Sequence, residues 1–192
     1  MLSLEEKEKL YEEVKHLTAF SQEDAANLAA VQNSMRKHSE ALSDYFYSHL
    51  HRVERTKEIL NEESGRTERL KKTLMQWFEN LFAGNYDMNY ANDILRIGSV
   101  HVVKKIDQRY VLSMYGMVFK FITTIIEKEF PDDPEKVEKV TNSVGKILAV
   151  DMALMMETYI EGLVDSTGWS MTLLKNMASQ SVGLRMQNDA AS

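Results

Sequence analysis

The sequence predicts an all-α domain, and three observations carry that prediction. Pro131 and Pro134 are the only prolines in 192 residues, so the long stretch before them holds no obligate helix breaker. Ser3-x-x-Glu6 and Ser21-x-x-Asp24 have the form of capping boxes, in which a hydroxyl and a carboxylate satisfy each other's backbone N–H groups. Between such signals, apolar residues recur three and four apart rather than alternating, which is the period of a helix face and not of a strand.

Taken in order, the Ser3 box opens a helix to about His16 and the Ser21 box a second to about His38. Ala41, Leu42, Tyr45, Phe46 and Leu50 continue a helical pattern to about Val53, and Glu63-Ser64-Gly65 marks a loop. From Thr67 to Phe82 the set Leu70, Leu74, Trp77, Phe78, Leu81 and Phe82 gives the clearest amphipathic stripe, ended by Ala83-Gly84-Asn85. Tyr90 to about Val103 places Ile94, Ile97, Gly98 and His101 on one face. Asp107 to about Glu129 forms a long helix, and Pro131-Asp132-Asp133-Pro134 starts the last one, antiparallel to it. That last helix carries two apolar stripes, Val137, Val140, Val144, Ile147, Leu154 and Leu148, Met152, Met155, Tyr159, Leu163. One stripe is expected to face the core and the other a partner. Residues 166–192 turn Ser/Thr/Asn/Gln-rich and read as an extension or linker, frayed from Gln187 to Ser192.

Composition narrows the function. With 44% apolar and 27% charged residues the chain should fold around one core, and its length suits a single domain plus a short extension. A net charge of −6 argues against nucleic acid as a partner, because phosphate binding needs a concentrated basic face. The most apolar stretches, such as Lys146 to Met156, are interrupted by polar residues well short of the ~20 positions that span a bilayer, so no membrane association is expected. Nothing at the N-terminus resembles a secretory signal, which makes the cytoplasm the default location. The lack of cysteine excludes disulfides, thiolate metal sites and a cysteine nucleophile.

Five histidines remain as candidates: His16, His38, His49, His51 and His101. His49 and His51 point about 200° apart on a helix, so they do not form a paired metal site. Phosphate-binding glycine loops and a nucleophile elbow are missing too, and an enzyme is not expected. His101 sits on an apolar face with Gly98 one turn earlier, where a missing side chain would let a flat group approach the backbone. Taken from the residues alone, a lone histidine on such a face is more often a hydrogen-bonded core residue than a ligand.

A longer pattern changes that balance. Trp77-x-x-x-Leu81-Phe82-x-Gly84-x-Tyr86-Asp87-x-x-Tyr90, then Arg96-Ile97-Gly98-x-Val100-His101-Val102, then Arg109-Tyr110, resembles the signature of the globin-coupled sensor and protoglobin family. The match is specific over residues 40 to 120 and follows the helix pattern over about 1 to 165. It implies a globin-like helical sandwich with an extra N-terminal helix, whose long last two helices form a homodimer bundle. It also implies haem b, with His101 as the iron ligand and Ile97 and Gly98 beside it. Phe46-Tyr47-Ser48-His49-Leu50 matches the family's distal segment and makes Tyr47 the hydrogen-bond donor to a bound gas, while family spacing puts Leu70 and Thr73 over the iron. Tyr45 is a rival, since two residues on a helix point about 200° apart and only one can face the pocket. Lys104-Lys105-Ile106-Asp107-Gln108 replaces the family's glycine and prolines after the histidine.

The implied function is a gas sensor for O2, able also to bind CO and NO. Residues 1–165 would be the sensor and 166–192 would lead toward an output domain absent from this chain. The alternative is a haem-free globin-like interaction module of stress signalling, with its pocket filled by side chains.

Overall fold

The computed structural model describes residues 2–190, and among them there are ten α-helices and no strand. α1 (Leu4–Leu17) and α2 (Gln22–Ala29) start at the two capping boxes, both closed reciprocally. The Ser3 N–H donates to the Glu6 carboxylate at 2.7 Å, and the Ser21 N–H to that of Asp24 at 2.8 Å. The second helix does not run unbroken to His38. It ends at Ala29, and a short α3 (Gln32–Arg36) follows. The turn after the Trp77 helix crosses at this break, with Gly84 in a left-handed conformation at φ 76° and so close to Ala29 that a Cβ would lie 2.8 Å from the alanine's. A larger residue at either position would push the two segments apart.

α4 (Ser39–Leu50) is followed by α5 (Glu54–Asn61), a short helix the sequence pattern did not separate, and then by α6 (Arg66–Asn80). α7 (Met88–Val103) is capped by Asp87, which accepts from the Asn89 and Tyr90 N–H groups at 2.9 and 3.2 Å. α8 (Gln108–Glu129) and α9 (Pro134–Thr167) are joined by a tight turn, with Pro134 in the first turn of α9 and Asp133 capping the Lys136 N–H. The contacts pair Tyr159 with Ile106, Gly145 with Phe119 and Lys136 with Phe130, so the two helices run antiparallel as expected.

α8 corrects one expectation. Its 22 residues reach the length and apolar composition of a membrane span. Val111, Met114, Val118, Ile122 and Ile126 are nevertheless buried in the protein at helical spacing, which is how a core helix of a globular domain uses its apolar residues.

α9 is the spine of the domain. Its first apolar stripe is largely buried within the chain, through Val140, Val144, Ile147 and Leu154, whereas the second buries Leu148 and Met155 and leaves Met152 and Tyr159 half-buried. The first stripe faces the core as expected, and the second, lying between α7 and α8, grades from core to surface along the helix. Leu163, with Leu112 and Phe119 on α8, stays exposed. Past Gly168, which ends α9 in a left-handed turn, residues 171–190 form α10 (Met171–Ala190), with Leu173, Met177, Val182 and Met186 exposed. Of the frayed end expected over 187–192, residues 191–192 lie outside the described residues.

Candidate functional site

α7 places His101 by simple periodicity. Ile94, Ile97 and His101 share a face, and that face closes one side of a cavity of about 270 Å³ between α4, α5, α6, α7 and α8. The His101 Nδ1 lies 2.8 Å from the Ile97 carbonyl oxygen. A carbonyl only accepts, so Nδ1 carries the proton and Nε2 is left with a free lone pair. Burial lowers the pKa of the ring, which favours that neutral, ligating form.

Across the cavity stands Tyr47 on α4, 6% exposed and without a hydrogen bond to any described residue. No fully buried side-chain nitrogen or oxygen among the described residues lacks a partner, so this phenol oxygen must reach open space, and the cavity is the space it borders. Tyr45 instead stacks on His49 and Phe121, with ring centroids 4.4 and 5.3 Å away, and does not line the cavity. Between the two rivals, the structure brings Tyr47 to the site.

Leu70 and Thr73 on α6 line the same cavity near its mouth, where Leu70 is 37% and Val100 52% exposed. Thr73 turns its hydroxyl to the Arg69 carbonyl at 3.3 Å. Two cations, Arg66 and Lys104, also belong to the lining. Arg66 is held by the Ile59 carbonyl at 2.5 Å and Glu62 at 2.8 Å, whereas Lys104 has no ion pair with a described residue.

Gly98 is a correction. It does not line the cavity, and the space beside it is not kept for a flat group. A Cβ there would meet the Thr158 hydroxyl oxygen at 2.5 Å and its methyl at 2.9 Å. The glycine exists so that α7 can lie against α9, and Gly162 on α9 does the same for Val102, whose methyl is 2.9 Å from where a Cβ would be.

Two features escaped the sequence reading. Tyr115 on α8 also lines the cavity without a hydrogen bond to a described residue, its ring edge-on to Trp77 at 6.3 Å. Below Trp77, the buried Asp151 accepts from the indole N–H at 3.0 Å and from the Tyr90 hydroxyl at 2.8 Å. The available signal was a lone acid inside the most apolar stretch of α9.

Among the described residues no three His, Asp or Glu side chains converge into a group that could hold a bare metal ion. One histidine nitrogen in an apolar cavity suits a metal that arrives with its other donors already attached, within a flat organic group. The residues present therefore fit a haem.

Comparison with known proteins agrees. Residues 7–164 match the Protoglobin family model. The heme-based aerotactic transducer HemAT of Halobacterium salinarum is 28% identical over 152 residues, covering 75% of this chain and 31% of that protein, so the chain spans less than a third of that relative's length. The globin domain of the Geobacter sulfurreducens globin-coupled sensor is 33% identical, with a TM-score of 0.73 over 83% of this chain and 99% of that one. A family model spanning most of the sequence and a solved globin domain matched over its whole length lead to one conclusion: the chain belongs to the protoglobin and globin-coupled sensor family.

Proposed function

We propose that the chain is a haem-based gas-sensing domain that holds haem b through His101 and takes O2 as its principal ligand. The observation that carries this reading is the pairing of a tautomer-fixed His101 with an unpartnered Tyr47 phenol across one apolar cavity. Haem bound here would be held by His101 and would supply an iron able to take up a diatomic gas. HemAT is described as a heme-based aerotactic transducer, which supports the same assignment here.

The protein's own residues do the rest. The Ile97 carbonyl fixes the ring of His101 and raises its basicity through Nδ1. Arg66 and Lys104 are the cations that the acidic side groups of a haem would meet. The Tyr47 hydroxyl, kept protonated by burial, would donate to a bound ligand that carries negative charge. Such a bond is worth about 1.5–3 kcal/mol, roughly 10- to 150-fold in affinity. O2 gains that charge and CO scarcely does.

Replacing Tyr47→Phe should therefore speed O2 release at least several-fold and leave CO affinity nearly unchanged in ligand-release measurements. Equal effects on the two gases would overturn Tyr47 as donor. Tyr115→Phe is the control for the second phenol: if it alone speeds O2 release, that ring and not Tyr47 is the donor.

The domain would work as a binding and signalling module rather than an enzyme, placed in the cytoplasm. The exposed Leu112, Phe119 and Leu163 on α8 and α9 support a homodimer bundle, and α10 supplies a helical path toward an output element.

A further inference from the structure

Asp151 is fully buried on α9, and its two carboxylate oxygens tie that helix to two others: Oδ2 to Trp77 of α6, Oδ1 to Tyr90 of α7. Trp77 is part of the cavity wall, and α7 carries His101. A buried carboxylate is ordinarily held by a cation, because taking its charge out of water is costly without one. The titratable groups that face this one are phenols: Tyr11 from α1, Tyr86 from the turn before α7, Tyr90 from α7 and Tyr115 from α8. No lysine or arginine among the described residues pairs with it. We propose that Asp151 is a positioning residue for the cavity, which holds the Trp77 indole in the wall and, by gaining or losing a proton, links cavity occupancy to pH and to the α6–α7–α9 junction.

Hydrogen-bond chemistry explains how one proton changes the junction. The ionised carboxylate accepts from both donors at once. A protonated one has an O–H to place, and the indole can only donate, so the Tyr90 hydroxyl must turn from donor to acceptor. Protonation thus rewires the tie to α7 while the tie to α6 weakens from a charge-assisted to a neutral bond. Burial without a cation raises the Asp151 pKa to about 7, so both forms are populated near neutrality. The four phenols are pushed upward and stay neutral there, which leaves Asp151 as the group of this cluster that changes charge.

The direction follows from linkage. The folded-state pKa is raised above the unfolded one, so the native state holds an extra proton between about pH 4 and about pH 7, and the stability this contributes is lost as pH rises through that window. An occupant that displaces water from the cavity beside Trp77 favours the uncharged acid further. By reciprocity, protonation favours the occupant, and affinity falls as pH rises through neutrality.

The test is a pH series of infrared spectra on the full chain, following the C=O stretch of protonated carboxyls, together with tryptophan emission. Wild type, Asp151→Asn and Trp77→Phe are compared. We expect a carboxylic-acid band that titrates near neutrality in wild type and is missing from Asp151→Asn, with an emission change of the same midpoint that Trp77→Phe abolishes. Trp77→Phe should also move the band's midpoint upward, because it removes a bond that favours the charged form. That shift would not arise from a purely structural role and remains readable if Asp151→Asn fails to fold. In haem-loaded protein, an arm that rests on the haem reading, O2 affinity should fall roughly threefold or more across the same range, and stay flat in Asp151→Asn. A band that never titrates, or one that titrates while Trp77 emission and O2 affinity ignore pH, overturns the proposal. If the chain takes up no haem, the haem reading fails, and band and emission still decide the role of Asp151.

Discussion

The two walls of the cavity are built to different rules. On the His101 side, α7 lies against α9 with glycine on both helices, Gly98 under Thr158 and Gly162 under Val102, so the seam has no slack. Its polar groups are paired, His101 to Ile97 and Tyr90 to Asp151. On the opposite side, Tyr47 and Tyr115 carry hydroxyls without partners among the described residues, and Leu70 presents 37% of its surface to solvent. A close-packed wall resists displacement and holds one geometry. An apolar wall with spare donors can accept a ligand at little structural cost. On the proposed haem reading, the ligating residue would stand on the rigid wall and ligand discrimination would fall to the adaptable one.

The sharpest way to break this comparison is to widen the tight seam. Gly98→Ala places a methyl within 2.5 Å of the buried, β-branched Thr158. Overpacking of that kind costs about 1–3 kcal/mol. Against it stands about 1 kcal/mol gained from the better helix propensity of alanine. A net loss of stability is expected in denaturant unfolding, and Thr158→Ala in the same chain should restore most of it by vacating the space. A neutral Gly98→Ala would mean that the seam is not tight. Smallest in stability is the change on the other wall: Leu70→Ala should stay within about 0.5 kcal/mol of wild type, as exposed substitutions do. Ligand exchange rates should change all the same, because Leu70 lines the mouth of the cavity.

How much of this was legible depended on sequence distance. The capping boxes at Ser3 and Ser21, the Asp133–Pro134 start of α9 and the face shared by Ile94, Ile97 and His101 are local patterns, and the structure carries each. α5 escaped because Thr56, Ile59 and Leu60 are its only buried residues, too few to show a period. The neighbours of Gly98 and Asp151 escaped for a different reason. Trp77 and Asp151 are separated by 74 positions, and nothing local tells whether a glycine beside a candidate ligand faces a cofactor or another helix. Resemblance alone separates Tyr47 from Tyr45 in the sequence, and the physical basis appears only when Phe121 arrives from α8 to take up the Tyr45 ring.

Whether His101 holds haem in this cavity is read out by a haem titration followed by absorption. Spectra of the ferric, ferrous, O2- and CO-exposed protein would be recorded beside those of His101→Ala. The expected result is saturable uptake at one haem per chain, a spectrum that responds to each gas, and its loss or gross alteration in the variant. A protein that folds and stays colourless in the presence of haem, or a variant with an unchanged spectrum, would contradict it.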